Sequence, residues 1–245
     1  LIRNMGSYIY KAYIDHPYFI NFADADATTG GRPQIVYSYG KDINDPVMQK
    51  FGAFLASKQE WGTVAPGGKI DEQLMQLVLL DEIKNAPAEN ALIGDFWLPD
   101  TEVAGARDKK GSTEGFFFAA KGGHNAESHN HNDLGTCVLY YDGKPAIIDI
   151  GRETYTAKTF SSHRYEIWTM QSGYHNLPKI NGVDQMQGRE FKAKNSTFYA
   201  DAKKAVFSTD IAGAYTEEAN VKMWKRSYTL ERGKKFRIQD SYQLS

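Results

Sequence analysis

The spacing of apolar residues changes partway along the chain, and this change limits the possible folds more than any other feature. Up to about residue 95, apolar residues recur every three to four positions, which is typical of amphipathic helices. From about Phe96, short runs rich in Phe, Tyr, Val, Ile and Thr are separated by glycines, as in β-strands. Because helices precede strands instead of alternating with them, the sequence predicts an α+β fold. A helical segment over residues 1–95 is followed by a mainly antiparallel β-sandwich over residues 96–245.

Three helices are predicted in the helical segment. The first ends near Asp15, before the helix-breaking His16-Pro17 pair. The second begins at Asp45-Pro46, because Asp can accept a free backbone N–H at a helix start and Pro has no N–H to leave unpaired. The third begins at Asp71. Its apolar packing positions are Leu74, Leu77, Val78, Leu80 and Ile83.

Seven strands are predicted in the second region. Asp142-Gly143 and Arg232-Gly233 are typical of hairpin turns that need a left-handed backbone. A two-residue turn at Asp142 would pair Thr136 with Asp149. The predicted strands are 114–121, 136–141, 146–150, 198–202, 205–211, 221–231 and 236–244.

Composition excludes several classes of function. Lys and Arg number 29 and Asp and Glu number 30, so the net charge of −1 does not favour binding to nucleic acid. No uninterrupted apolar run approaches the roughly 18 residues that a membrane-spanning helix needs, and no membrane span is predicted. The single cysteine, Cys137, has no partner for an internal disulfide.

Three of the six histidines lie within eight residues, in the glycine-bounded stretch 122–135. This stretch reads Gly-Gly-His-Asn-Ala-Glu-Ser-His-Asn-His-Asn-Asp-Leu-Gly. Histidine is the commonest metal ligand and titrates near neutral pH, so a His-x-His pair in a polar loop can supply metal ligands or a base.

Two further residues complete a candidate metal site. Asp149 ends the apolar strand Ala-Ile-Ile-Asp-Ile and needs a partner if it is buried. His175 follows a glycine-containing break, and two histidines with one carboxylate form an accepted zinc ligand set. The residues alone leave another interpretation open: Asp149 could accept backbone hydrogen bonds at a strand end, and His175 could be an ordinary core histidine.

The stretch 122–135 closely resembles the heparinase II/III-like family of polysaccharide lyases. The resemblance continues through Tyr-Tyr-Asp-Gly-Lys-Pro-Ala-Ile-Ile-Asp-Ile-Gly at 140–151, Tyr155 and the pair His175-Asn176. It covers residues 100–190 well, whereas the helical segment resembles more weakly the last helices of the α/α toroid of those enzymes. The resemblance implies that His131, Asp149 and His175 bind zinc and that His129 faces the substrate cleft.

The resemblance also implies cleavage of a uronic-acid-containing polysaccharide, such as heparin, heparan sulfate or alginate, by β-elimination. That reaction requires a base, a proton donor and a group that neutralises the sugar carboxylate. We assign His129 as the base or the carboxylate-neutralising group and Tyr165 as a general acid-base. Arg164 and Asn130 are assigned to substrate binding, because a guanidinium group matches a carboxylate or sulfate. The partner is therefore an anionic polysaccharide, and the zinc is expected to be mainly structural.

Further expectations concern the whole protein. The chain begins without Met and stops within a predicted strand, so we expect a fragment of a periplasmic or secreted enzyme. In the family, the toroid supplies an Asn or His and a Tyr to the active site, and both would precede Leu1. The fragment is then expected to bind zinc without being active. The rival hypotheses are a zinc-dependent hydrolase and a noncatalytic carbohydrate-binding sandwich.

Overall fold

The computed structural model describes residues 2–59 and 69–245. The chain divides into two compact units: one comprises the residues up to Phe19 together with Thr28–Ile93, and the other comprises Ile20–Ala27 together with Gly94–Ser245. The α-helices lie in the first unit, and the two large antiparallel sheets lie in the second. The predicted α+β class with a β-sandwich is confirmed.

The helices of the first unit are short. Their bounds are α1 Ile2–Gly6, α2 Tyr8–Lys11, α3 Pro33–Asp42, α4 Pro46–Ser57, α5 Ile70–Val78 and α6 Leu80–Asn85. The start of α4 is confirmed, because the Asp45 side chain accepts a hydrogen bond from the Met48 N–H at 3.1 Å. Helices α3 and α4 pack closely where Gly52 meets the backbone of Tyr37, since a Cβ at Gly52 would lie 2.6 Å from that backbone nitrogen.

The prediction of one helix up to Asp15 is wrong. The chain leaves the helical conformation after Lys11 and forms a small hairpin of β1 (Tyr13–Asp15) and β2 (Tyr18–Phe19). Tyr13 is fully buried in this hairpin, with its ring centroid 4.9 Å from that of Phe51. Aromatic packing therefore outweighs the local helical periodicity.

The third predicted helix is also different in the structure. It begins one residue earlier than expected and divides at Leu79 into α5 and α6. Of its predicted packing positions, Ile83 is buried, whereas Leu74, Leu77 and Val78 are exposed within this unit. The apolar pattern is present, but only the α6 end of it is covered.

The second unit contains two large sheets. Its strands are β3 Asp95–Leu98, β4 Val103–Arg107, β5 Phe116–Lys121, β6 His124–Asn125, β7 Cys137–Tyr141, β8 Lys144–Ile147, β9 Gly188–Lys192, β10 Lys194–Ala200, β11 Lys204–Asp210, β12 Val221–Glu231 and β13 Lys235–Leu244. The first large sheet has the strand order β3-β4-β5-β7-β8, and the second has the order β10-β11-β12-β13. Strands β6 and β9 form a separate short pair.

An apolar core joins the two large sheets. Phe118 of β5 packs in it with Phe207 of β11 and Tyr228 of β12, and all three side chains are fully buried. Alternate residues of β11 and β12 enter this core, as expected for strands with one covered face. In this unit the sequence predictions missed β3, β4, β6 and β9, because these short strands lack a strong β-rich pattern.

The hairpin between β7 and β8 follows the predicted register only near its turn. Asp142 and Gly143 both have positive φ angles, 49° and 72°, and Tyr141 pairs with Lys144 as expected. The register then shifts by one residue, and β8 ends at Ile147. Asp149 therefore lies beyond the strand and not within it, contrary to the strand predicted over 146–150.

Candidate metal centre and adjoining polar cluster

Three separate segments bring His131, Asp149 and His175 together. Their potential ligand atoms all lie within 4.8 Å of one another, and all three side chains are buried. His131 comes from the loop between β6 and β7, Asp149 follows β8, and His175 follows a one-turn 3₁₀ helix, Ser172–Tyr174. The structure thus groups the three residues that the sequence singled out, although the metal role itself remains a prediction.

Side-chain hydrogen bonds to the backbone hold the three segments in place. Asn176 pairs with Cys137 as a strand residue would: its Oδ1 accepts from the Cys137 N–H at 3.0 Å, and its Nδ2 donates to the Cys137 carbonyl at 2.9 Å. This places the residue after His175 against the first residue of β7. Gln185 pairs in the same way with Leu134, in the histidine loop.

Arg226 ties the same segments to the second sheet. Its guanidinium group makes two hydrogen bonds to Asp240, at 2.7 and 2.8 Å, and one to the carbonyl of Asn176 at 2.7 Å. The side chain is 9% exposed. Burial opposes the charge, but the hydrogen bonds to Asp240 raise the pKa of Arg226 above its usual value, so the group is a permanent cation.

Each histidine of the triad has one ring nitrogen held by an oxygen acceptor. His131 Nε2 lies 3.0 Å from Asp24 Oδ1, and His175 Nε2 lies 3.1 Å from the Thr169 carbonyl. Both nitrogens must carry the hydrogen if those oxygens only accept. The Nδ1 atoms are then the nitrogens left for a ligand.

Among the described residues, neither of these Nδ1 atoms accepts a hydrogen bond from a neutral donor group. His131 Nδ1 is buried and has no hydrogen-bond partner among the residues that the structure describes. His175 Nδ1 lies 2.9 Å from Asp149 Oδ2. A neutral His175 would therefore point a lone pair at a carboxylate, which is unfavourable unless a proton or a metal cation lies between them.

The pKa values of the triad reflect this arrangement. Burial lowers the pKa of His131 below its ordinary value, so the ring is neutral at neutral pH and can act as a ligand. Burial opposes charge on His175 too, but the hydrogen bond and the negative charge of Asp149 raise its pKa. Asp149 is buried, yet the hydrogen bond from His175 lowers its pKa.

Asp24, which the sequence did not single out, connects this triad to His129. Its side chain is 4% exposed and contacts both histidines of the His-x-His pair. Asp24 lies 107 residues before His131 in a polar loop, so no spacing motif could have indicated it. Only the folded chain brings the two together.

His129 lies at the edge of a polar cluster in which Asp24 contacts His131, His129, Tyr155 and Arg164. Its side chain is 48% exposed, and its backbone has φ = 59°, a left-handed conformation that is uncommon for residues other than Gly. His129 Nδ1 lies 2.8 Å from Asp24 Oδ2 and 3.3 Å from the Tyr155 hydroxyl. The sequence assigned no role to Tyr155 beyond the resemblance.

The remaining predicted site residues lie beside His129. A cavity of about 250 Å³ is lined by His129, Asn130, Arg164 and Tyr165, together with Glu127, Ser128, Thr159, Phe160 and Ser161. Asn130 Nδ2 donates to the Tyr165 hydroxyl at 3.2 Å. The structure therefore groups both predicted catalytic residues and both predicted substrate-binding residues around one cavity, but it does not test their roles.

Arg164 is less free than its predicted substrate-binding role requires. Its side chain is 11% exposed, and it donates to Asp24, to the Asn130 carbonyl and to the Thr159 carbonyl at 2.8–3.1 Å. A guanidinium group already engaged at Nε and both Nη atoms has little capacity left for a substrate carboxylate. In this geometry Arg164 supports Asp24 and the histidine loop.

Comparison with known proteins finds one matching family model. The family model described as "Heparinase II/III-like, C-terminal" matches residues 94–245. No curated protein matches the chain significantly. Within the residues that the structure describes, no helix is long and apolar enough to cross a membrane.

Solved structures of heparinases have a similar fold. Heparan sulfate lyase HepC from Pedobacter heparinus has a TM-score of 0.65 and 15% identity, with 96% of this chain and 31% of that chain covered. A heparinase III gene product has a TM-score of 0.64 and 16% identity, covering 97% and 32%. A further heparinase III has a TM-score of 0.58 and 15% identity, covering 99% and 33%. The chain thus spans about a third of the length of these proteins.

Proposed function

The chain belongs to the heparinase II/III-like family, and from this premise we propose that it is part of a lyase that cleaves uronic-acid-containing polysaccharides by β-elimination. We propose further that His131, Asp149 and His175 hold a zinc ion that is mainly structural. Heparin, heparan sulfate and alginate are candidate substrates. A periplasmic or secreted location is part of the same proposal.

The buried triad is the observation that carries the metal assignment. Two imidazoles and one carboxylate form an established zinc ligand set. The triad fits a cation because His131 Nδ1 is buried without a partner and His175 Nδ1 faces Asp149 Oδ2, an arrangement that needs a positive charge. Metal-bound histidines usually donate their other N–H to an oxygen, as His131 and His175 do to Asp24 and Thr169.

Zinc bound here would supply a fixed positive charge and cross-link three segments that have no regular secondary structure. His131 is fully buried, and none of the three proposed ligands lines the cavity. This burial favours a structural ion over one that activates water. A rigid loop would in turn hold His129 at the cavity edge.

Beta-elimination makes specific demands on the residues around the cavity. A base removes the proton on the carbon next to the sugar carboxylate, a double bond forms to the neighbouring carbon, and the glycosidic C–O bond breaks. The departing oxygen takes up a proton, and the carboxylate must be neutralised while the charge develops.

His129 has the geometry of the base. Its Nδ1 is hydrogen-bonded to Asp24, and its ring borders the cavity, so the other ring nitrogen is available to substrate. Tyr165 also borders the cavity, and its hydroxyl oxygen accepts a hydrogen bond from Asn130, so its phenolic hydrogen can be donated to the leaving oxygen and replaced from solvent. Asn130 would position Tyr165, and Arg164 would maintain the loop.

The test is a panel of uronic-acid polysaccharides assayed with the full-length enzyme for ultraviolet absorbance by unsaturated products. We expect product from at least one substrate, and we expect His129→Ala to abolish it while the metal content remains unchanged. The 245-residue chain alone is expected to bind zinc and give no product. New reducing ends without a double bond would instead indicate a hydrolase, and binding without cleavage would indicate a carbohydrate-binding sandwich.

The role of the metal is tested separately with His131→Ala. A structural zinc predicts loss of both metal and thermal stability. A folded, stable and inactive His131→Ala enzyme would contradict this role and favour a catalytic, water-activating ion.

A further inference from the structure

Asp24 accepts hydrogen bonds from four different side chains. Its Oδ1 lies 3.0 Å from His131 Nε2 and 2.8 Å from Arg164 Nη2. Its Oδ2 lies 2.8 Å from His129 Nδ1 and 3.0 Å from the Tyr155 hydroxyl. One buried carboxylate thus contacts a triad histidine and the cavity histidine at the same time.

Asp24 forms a buried ion pair with Arg164, whose Nη2 lies 2.8 Å from Asp24 Oδ1. A guanidinium group can only donate hydrogen bonds, so Asp24 faces it as a carboxylate. An ionised carboxylate can only accept hydrogen bonds. Each of its four partners must therefore donate a hydrogen to it.

This requirement fixes where each imidazole carries its hydrogen. His131 must be protonated at Nε2, which leaves the Nδ1 lone pair for a cation bound together with Asp149 and His175. His129 must be protonated at Nδ1, which leaves the Nε2 lone pair on the exposed part of the ring. The two histidines are two residues apart yet are held in opposite tautomers by the two oxygens of one carboxylate.

We propose that Asp24 is a positioning residue that sets both tautomers, so that His131 presents Nδ1 to the metal and His129 presents Nε2 to substrate. The assignment rests on the proposed zinc and lyase functions and deepens them. Asp24 is not one of the three proposed ligands and does not line the cavity, so it acts through the two rings. Asp24 therefore couples metal binding by His131 to the orientation of the His129 ring.

Asp24→Asn tests the proposal, because the amide keeps the size of the side chain but offers only one acceptor oxygen. At most one histidine can then keep its original partner, and the amide N–H₂ favours the opposite tautomer in the other. We expect zinc affinity, measured by competition with a chromogenic chelator, to fall by about 10- to 100-fold, as for other groups that orient metal ligands.

Asp26→Asn is the matched control. Asp26 lies in the same loop, is exposed, and forms a surface ion pair with Arg152 at 3.0 Å. This variant makes the same chemical change two residues away and should keep the zinc affinity of the unsubstituted protein. Equal zinc affinity in Asp24→Asn and Asp26→Asn would overturn the proposed role of Asp24 toward His131.

Nitrogen NMR of the unsubstituted, metal-free chain provides a readout that does not depend on a variant folding. We expect His129 to show a protonated Nδ1 and an unprotonated Nε2, and His131 to show the reverse, at a pH where both rings are neutral. The same tautomer in both rings, or exchange between tautomers, would overturn the proposal. Absence of zinc binding or of unsaturated product would refute the proposed function but would leave this spectroscopic result standing.

Discussion

The apolar core between the two sheets and the polar cluster around Asp24 are both buried, but their side chains are held in different ways. Phe118, Phe207 and Tyr228 fill the core with ring contacts at centroid distances of 6.1–6.4 Å, and alternating strands position them. The polar cluster is built from loops, and directional hydrogen bonds to Asp24 position its side chains. Burial in the core stabilises the fold, whereas burial in the cluster specifies proton positions.

The cluster also differs from a purely structural ion pair in the same unit. Arg226 is engaged at Nε and both Nη atoms by Asp240 and the Asn176 carbonyl, which leaves it little capacity for a ligand. His131, by contrast, keeps one buried nitrogen without a partner among the described residues. A buried polar group that the protein itself does not satisfy is the stronger indication of a binding site.

The largest expected effect on folding is in the core. Phe118→Ala should lower the free energy of unfolding by about 3–5 kcal/mol, because it removes a fully buried ring and leaves a cavity. Urea denaturation of the metal-free chain measures this change. Zinc affinity of the folded variant should stay within about threefold of normal, and a larger loss would show that the two regions are coupled.

Metal binding should stabilise the cluster by a comparable but concentration-dependent amount. Free zinc at 1,000 times its dissociation constant should raise the free energy of unfolding by about 4 kcal/mol, through preferential binding to the folded state. Denaturation with zinc and with a chelator measures the difference. His175→Ala should abolish it, whereas His163→Ala, which removes an exposed histidine outside the triad, should leave it unchanged.

Lowering the pH should destabilise the polar cluster around Asp24 more than the apolar core. The pKa of Asp24 is about 2 in the folded chain and near 3.8 when unperturbed, so its stabilising effect is present above pH 4 and is lost as the pH falls toward 2. Protonation of Asp24 should lower the free energy of unfolding of the metal-free chain by about 2 kcal/mol. Asp24→Asn should show a correspondingly shallower decline over that range than Asp26→Asn, and parallel curves would contradict the assigned pKa shift.

The smallest effect is expected at a surface ion pair near the histidine loop. Lys179 lies 3.0 Å from Asp184, and its side chain is 56% exposed. Lys179→Ala should change the free energy of unfolding by less than about 0.5 kcal/mol, because solvent screens exposed pairs. Denaturation and zinc titration should both match the unsubstituted chain, and a change in zinc affinity would extend the functional cluster to this surface.

The sequence by itself determined the α+β class and the triad residues. Helical and strand periodicities are local properties, and so is the glycine-bounded histidine motif, which is why α4, the long strands and the Asp142-Gly143 turn could be predicted. The hairpin between β7 and β8 also indicated that Asp149 would lie near the histidine loop. Thr136 Oγ1 does donate to Asp149 Oδ2 at 3.3 Å, despite the shift in register.

Only the tertiary structure decided which groups surround those residues. Asp24 reaches His131 across 107 positions, and Arg164 reaches Asp24 across 140, so neither contact leaves a spacing pattern. Tyr13 is part of a strand because Phe51 packs against it. The side chain of Arg164 is mostly buried because it forms an ion pair with the buried Asp24. Periodicity records which face of an element is covered, whereas hydrogen-bond partners depend on how distant segments meet after folding.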